Sequence, residues 1–318
     1  MEKNKKTFFV MEFVLLVLAL FFVWKIFDQN VPEKRVAVIL PESGDERWDS
    51  VIKGMKQSAK MNHIHLIICN TDEIENAEVE KEAITEQKNN NIDALIVWPA
   101  PGRETQKILK KECSNIPVVL IVEDLYSGTE QKKSNFPVVE PDYYKIGAAL
   151  GKQLDKQTQT IGIVAGREES EATVQAVRGF TDTLKNTESQ ISWCYYQEKN
   201  QDVCEKVNGQ EKVDTLVVMD SDALDQLGEQ LEEGQNPRTK IYGIGSSEKA
   251  IALKDYGKID GLVVPDGYEI GYKSVEEISK KLKHRFYKLK SHEAAVKVIG
   301  KEEPVLDDDI ERFLYSYE

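Results

Sequence analysis

The chain has 318 residues, 41% hydrophobic and 31% charged, which supplies a sizeable core and is too long for one small domain. With 55 acids against 42 Lys and Arg its formal net charge is −13, which argues against nucleic acid or anionic lipid headgroups as partners for the folded part. Four cysteines, at 69, 113, 194 and 204, form no CxxC pair, so buried free thiols are expected, with a Cys194–Cys204 bridge as the alternative in an oxidising compartment.

The first predicted element is apolar on every face. Residues Phe8 to Phe27 read FFVMEFVLLVLALFFVWKIF, interrupted only by Glu12 and Lys25 near the ends. Twenty helical residues rise about 30 Å, the thickness of a bilayer's hydrocarbon core. Lys3, Lys5 and Lys6 precede the stretch, and the positive-inside rule puts them in the cytoplasm and everything after Asp28 outside. No small-x-small cleavage site follows, and no cysteine near position 25 offers a lipid attachment point. The expectation is an uncleaved signal-anchor with its cytoplasmic tip over residues 1–30. The protein would then be a single-pass cell-membrane protein whose main domain is extracytoplasmic.

Short apolar runs then alternate with amphipathic stretches. The runs are Arg35–Leu40, Ile64–Cys69, Ala94–Trp98, Pro117–Val122, Thr160–Ala165, Ile191–Tyr196, Thr215–Met219, Lys240–Ile244 and Gly261–Val264. Most are continuous rather than alternating, as parallel strands covered on both faces require. Trp48, Ile52, Met55 and Ala59 share a helical face, as do Ile146, Leu150 and Leu154. Tyr268, Tyr272, Val275, Ile278, Leu282 and Phe286 make a longer stripe. Phe136–Asp142 and Val264–Gly267 read as breaks between two sets of units, Asp124–Ser134 as a polar loop, and Asp307–Tyr315 as a short terminal helix. Strand–helix alternation of this kind predicts an α/β fold of two doubly wound parallel-sheet lobes.

In open α/β sheets ligands bind beyond the C-terminal ends of the strands. That rule selects Pro41–Asp45 with Trp48, Trp98-Pro99, Glu123-Asp124, Gly166–Glu168, Asp220–Asp222, Gly245–Ser247 and Pro265-Asp266. Carboxylates, hydroxyls and one Arg beside aromatic rings suit a polyhydroxylated solute, because rings stack on sugar C–H faces while charged groups bind vicinal hydroxyls. The candidate ligand-binding residues are Trp48, Trp98, Glu123, Asp124, Asp142, Arg167, Asp220, Ser246 and Asp266. Each competes with a plainer role, since Asp, Ser and Gly at these positions are also favoured helix caps. Gly243–Ser247 lacks the lysine of a phosphate loop, and His63-x-His65, expected on one strand face, has no third ligand. Without GxSxG, HExxH or a Cys/His pair, no enzyme, cofactor or metal is expected.

The order and spacing of several short motifs carry a resemblance. They are Arg35–Pro41 followed by Val51-Ile-Lys-Gly-Met, then Ile92–Val97, Asn115-Ile-Pro-Val-Val, Asp142-Tyr-Tyr-Lys-Ile-Gly and Val177-Arg-Gly-Phe180. Val213–Val218, Gly257–Leu262 and Tyr268-Glu-Ile-Gly271 complete the set. From about Arg35 to Leu282 the chain resembles type I periplasmic binding proteins, in the ribose/galactose-binding branch shared with the core of LacI-type repressors. The resemblance implies two lobes joined by three crossovers, here 31–141 with 266–291 and 142–265 with 292–318, closing on a small solute. The repressor branch would need an N-terminal DNA-binding unit where this chain has its apolar stretch.

The usual pocket residues transfer poorly. Where the family places an Asn-Asp pair this chain has Asp220-Ser221, Gly245 stands for an Asp, Pro265 for a Gln, and Val174 for an Arg. These losses remove hydroxyl-binding acids, amides and a guanidinium. The resemblance implies a sugar-like solute delivered to an ABC-type importer by lobe closure. The other expectation is a sensory or scaffold ectodomain with a weakened pocket, reporting to a membrane receptor such as a histidine kinase.

Overall fold

The computed structural model describes residues 11–23, 34–74, 76–100, 103–122, 136–154, 158–185, 187–198, 201–232 and 239–300. Residues 11–23 form a helix with exposed side chains. The flanks of the expected apolar span, the loop at 124–134 and the expected helix at 307–315 lie outside the described residues. Among those described, no helix is long and apolar enough to cross a membrane, so a spanning helix is expected from sequence and not shown.

All nine apolar runs form strands, in two sheets. The first holds β1 (Lys34–Ile39), β2 (Ile64–Ile68), β3 (Ala94–Val97) and β4 (Val118–Leu120) in the order β2-β1-β3-β4. The second holds β6 (Thr160–Ala165), β7 (Gln190–Tyr196), β8 (Thr215–Val218), β9 (Lys240–Ile244), β10 (Gly261–Pro265) and β12 (Val296–Ile299) in the order β12-β10-β9-β8-β6-β7. The pairs β1–β3, β3–β4, β6–β7, β6–β8, β8–β9 and β9–β10 are parallel, and β12 runs antiparallel to β10. Helices cover both faces of each sheet, which is why strands such as β3 and β8 are buried at every residue.

Three segments pass between the sheets. The first ends in β5 (Val139–Pro141), the second is the end of β10, and the third is β11 (His292–Ala294) leading into β12. They are bonded to one another: β11 pairs with β5 in parallel, His292 N donates to Val138 O at 2.9 Å, and Asp266 N donates to Ala295 O at 2.9 Å. β5 lies inside the break at Phe136–Asp142, read from sequence as a short extended segment, whereas β11 and β12 were absent from the predicted elements, their short runs being interrupted by Glu293 and Lys297.

Each half is clamped by a helix pair in near-backbone contact. In the first, α1 (Asp49–Asn62) meets α9 (Gly267–Lys283); in the second, α4 (Tyr143–Gln153) meets α5 (Glu171–Leu184). A Cβ added at Gly54 would lie 2.1 Å from Tyr268 O, and one at Gly271 would lie 1.9 Å from Val51 O. The second pair repeats this, with Gly147 facing Ala176 O at 1.8 Å and Gly179 facing Tyr144 O at 2.0 Å. The remaining helices are α2 (Ala77–Asn89), α3 (Arg103–Glu112), α6 (Val203–Asn208), α7 (Ser221–Glu232) and α8 (Glu248–Asp255).

Two local expectations are corrected. Phe286 does not extend the buried stripe of α9, because that helix ends at Lys283 and the ring is 92% exposed. His63 does not stand on β2; it ends α1 in the left-handed region, φ 57°, so it cannot share a strand face with His65. No disulfide joins any of the four cysteines, and burial pushes the Cys69 and Cys113 thiols up to about 11 and about 12.

Replacing Gly271 by Ala forces backbone apart at the α1–α9 seat, and overpacking of this kind costs about 1–3 kcal/mol. Gly44→Ala is the control, since nothing lies within 4 Å of the added carbon. Calorimetry should show a clear fall in Tm for the first and a change near zero for the second.

Candidate ligand cleft

The site begins with the loop after β1. Glu42 N donates to Asp72 O at 3.0 Å and Ser43 N to Thr71 O at 3.1 Å, which ties this loop to the one after β2. Glu42 adopts φ 46°, a strained choice for a residue with a side chain. Asp45 Oδ1 accepts from Arg47 N at 2.9 Å and opens the single 3-10 turn Glu46–Trp48.

The tryptophans pack together. Trp48 is 5% exposed, donates its indole N–H to Pro41 O at 2.9 Å, and meets the half-buried Trp98 edge to face with ring centres 5.0 Å apart. The Arg47 guanidinium covers the Trp48 ring, 5.2 Å from its centre. In this form Trp48 is more wall than open stacking platform.

Arg47 also joins the halves. It binds Glu42 Oε2 at 2.7 Å and forms an ion pair with Asp222 Oδ2, carried by α7 of the second sheet. Asp222 keeps 37% of its side-chain surface exposed and Arg47 22%, so solvent screens the pair to roughly 0–1 kcal/mol.

Around this cation stand several acids. Asp220 Oδ1 accepts from Ala223 N at 2.9 Å, capping α7, and from Gln197 Nε2 at 3.0 Å. Ser247 Oγ donates to Asp225 Oδ1 at 2.7 Å while capping α8. Burial and the neighbouring Asp220 push the Asp222 carboxyl up to about 7, with Asp45 and Asp225 adding and Arg47 opposing. Burial likewise raises Asp225, and Asp45 and Glu46 add to it from across the cleft. A carboxyl held partly neutral near pH 7, as Asp222 is, both donates and accepts hydrogen bonds.

The sequence candidates are thus distributed unevenly. Trp48, Trp98 and Asp220 stand in the loops that border the cleft, with Ser246 in the loop before α8. Asp266 caps α9 through Glu269 N at 2.8 Å, inside the second connecting segment, and burial raises its carboxyl. Asp142 caps α4 through Lys145 N at 2.9 Å. Arg167 is exposed on the turn after β6. Glu123 and Asp124 lie outside the described residues. Sequence reasoning reached Asp222 only as part of the strand-end segment Asp220–Asp222 and did not select Arg47 or Gln197. Arg47 was visible as the single base among four acids in Pro41–Ser50.

A buried acid supports the loop carrying Trp98. Glu80, on α2, is 0% exposed and accepts from Ala100 N at 2.9 Å, while its Oε1 has no hydrogen-bond partner among the described residues. Burial pushes its carboxyl up to about 7. A separate cavity of about 520 Å³ lies against α4 and β12, lined by Tyr144, Lys152, Gln153 and Val298 among others. It is away from the strand ends and gathers none of these acids. Among the described residues no group of His, Cys, Asp and Glu is arranged to hold a metal.

Two α/β sheets joined by three hydrogen-bonded segments, with converging loops at the strand ends, define a two-lobed binding-protein fold. Residues 36–285 match the periplasmic binding protein domain, and the chain belongs to that family. Catabolite control protein A of Staphylococcus aureus is 26% identical over 157 residues, which are 49% of this chain and 45% of that protein. The chain thus spans about half the length of the curated relatives it matches. A carbohydrate-transporter solute-binding protein from Agrobacterium radiobacter, solved with D-arabinose, superposes with a TM-score of 0.76 at 15% identity. That match covers 90% of this chain and all of the other. A chain of the TorS sensor domain–TorT complex, solved without ligand, gives 0.72 at 18% identity, covering 88% and 96%. At such identities the two structures speak for the fold alone.

Arg47→Ala removes the ion pair between the halves and should loosen them, so X-ray scattering should report a larger radius of gyration with Tm falling little. An unchanged profile would show that other contacts hold the halves. Glu80 gives a pH signature. Its folded pKa is raised from 4.5 to about 7, so its favourable share of stability is complete below pH 4.5 and lost as pH rises through 7. Glu80→Gln should therefore match the parent near pH 4 and exceed it at pH 8, by up to roughly 3 kcal/mol. Thermal melts at the two pH values check this.

Proposed function

We propose that this chain is a membrane-anchored extracytoplasmic solute-binding protein for a carbohydrate-like ligand, supplying an ABC-type importer by closure of its two lobes. The observation that carries the reading is the meeting of Asp220, Asp222 and Asp225 from one sheet with Trp48, Trp98 and the Asp45–Arg47 loop from the other. Carboxyls with mixed protonation bind hydroxyls as donors and acceptors, and the tryptophan pair supplies an apolar wall. The arabinose-bound structural neighbour supports a sugar as the first class to test. Anchoring rests on the apolar sequence from Phe8 to Phe27, of which residues 11–23 are helical and exposed. Binding, not catalysis, is the work assigned, in keeping with the family.

One observation favours a second reading. Arg47 bridges the halves through Asp222 with a contact of the protein's own, and a tethered protein of this kind suits a sensory role beside a histidine kinase. A ligand shifts such an equilibrium only through its differential affinity for the closed form. Here it must displace Arg47 from Asp222 or add to that contact.

The test is a thermal-shift and calorimetric screen of sugars, polyols and nucleosides. A true ligand at a hundred times its Kd stabilises by about 2.7 kcal/mol, and Asp220→Asn should reduce that. A folded sample stabilised by none of them sinks the sugar pocket. Co-purification from membranes with a permease or with a kinase separates delivery from sensing.

A further inference from the structure

The acidic balance of the chain conceals one segment of opposite sign. From Ile278 to His292 the sequence reads ISKKLKHRFYKLKSH, with six Lys and Arg, two His and no acid, in a chain of formal net charge −13. It covers the end of α9 and the turn leading to β11.

The structure fixes this turn firmly. Lys281 Nζ donates to Arg285 O and Tyr287 O, both at 2.8 Å, and Tyr287 N donates to His284 O at 2.9 Å. The Tyr287 hydroxyl and Lys290 N both donate to the buried Glu277 carboxylate, at 3.0 and 3.1 Å. Lys280 pairs with Glu276 and Glu277. The rest points outward. Phe286, 92% exposed, is the most exposed large hydrophobic side chain among the described residues. Lys283, Arg285, Lys288 and Lys290 are exposed around it, and among the described residues none pairs with a carboxylate.

The position of the turn is equally specific. Ser279 Oγ and Lys283 Nζ both reach Asn62 Oδ1, at 2.9 and 2.8 Å. The C-terminal ends of α1 and α9 therefore share one edge, where exposed Lys60 and 61%-exposed Met61 enlarge the patch. Cys69 N donates to Val38 O at 2.9 Å, so the far ends of β2 and β1 lie together and the two strands run the same way. Since α1 returns the chain to the start of β2, this edge is also where the chain enters β1. The cleft lies at the opposite strand ends.

We propose that residues 283–290 bind the anionic lipid surface of the membrane, with Phe286 seated among the headgroups and Lys283, Arg285, Lys288 and Lys290 on lipid phosphates. A single ring at the tip of a convex basic turn fits an interfacial lipid layer better than a flat protein face, because only the ring needs burial while the cations stay at headgroup level. Net negative charge does not prevent this. At physiological ionic strength charges beyond about 8 Å are largely screened, so the local patch decides. The patch stands on the residues of the turn alone; its approach to a bilayer rests on the anchor reading.

The test uses the full chain in nanodiscs of phosphatidylcholine with or without phosphatidylglycerol, read by amide hydrogen exchange over 278–292. Exchange should slow only with phosphatidylglycerol, and the protection should vanish in high salt. Lys283→Glu with Arg285→Glu and Lys288→Glu should weaken the phosphatidylglycerol-dependent association by ~100-fold. Phe286→Ser should weaken it with Tm unchanged. If the chain does not insert into discs, the anchor reading fails. Flotation with phosphatidylglycerol against phosphatidylcholine vesicles then decides the turn separately. Absence of any salt-sensitive preference for phosphatidylglycerol in folded protein overturns the proposal and assigns the turn to an acidic protein surface.

Discussion

The closeness of two helix pairs is the constraint on which the rest of the molecule depends. At Gly54–Gly271 and Gly147–Gly179 no side chain separates the backbones, and even one methyl group would collide with a carbonyl oxygen. The two seats are built alike. Asp142-Tyr143-Tyr144-Lys145-Ile146-Gly147 and Asp266-Gly267-Tyr268-Glu269-Ile270-Gly271 share the pattern Asp-x-Tyr-x-Ile-Gly. In each, the Asp caps the helix, the Tyr carbonyl faces a partner glycine, and the final Gly faces a carbonyl three residues before that glycine. Each seat also fixes how a connecting segment enters its half, and so directs the strand ends toward one another. Motion between the halves is thereby confined to the short bonded segments around Val139, Pro265 and Ala295, since the seats themselves have no slack.

The electrostatics of the cleft follow from that convergence. Loops from both sheets bring Asp45, Glu46, Asp220, Asp222 and Asp225 into mutual influence, with Arg47 set among them. Burial and repulsion raise two of these carboxyls, Asp222 to about 7, which lessens the charge that would force the halves apart. A guanidinium lying over Trp48 and paired with Asp222 occupies the kind of place a polar solute with an apolar face would take. The Arg47–Asp222 contact and a pocket lacking several usual family residues are consistent with each other, because a protein that supplies its own bridging cation needs less from a ligand.

Much of the fold was legible because continuous apolar runs announce doubly covered strands. What escaped were β11 and β12, where Glu293 and Lys297 break the short apolar runs that announced equally short strands such as β3, β4 and β8. Helix ends were read less well. The stripe through Leu282 suggested that Phe286 continued it, but local bonds from Lys281 turn the chain and expel the ring. His63 looked like a strand residue and instead caps a helix. Strand-end logic selected Asp220 and the tryptophans, which the structure sets in loops bordering the cleft, yet passed over Arg47. The search favoured acids and aromatic rings as ligand groups, whereas Arg47 works by crossing between sheets, a relation that only tertiary structure displays.

The two ends of the first half are mechanically continuous. Helix α9 begins at Asp266 in a connecting segment, is seated on α1 at Gly271, and ends in the basic turn. Near its end Glu277, fully buried, receives Tyr287 and Lys290 from that turn, and His292 Nε2 lies 3.0 Å from the same carboxylate at the start of β11. One side chain thus ties the turn to the third connecting segment, while the N-terminus of the same helix belongs to the second. A surface that grips the turn fixes α9, and with α9 fixed the connecting segments have one stationary side. Opening and closing of the cleft would then move the second half against the first. The part facing away from the turn is then the part free to swing.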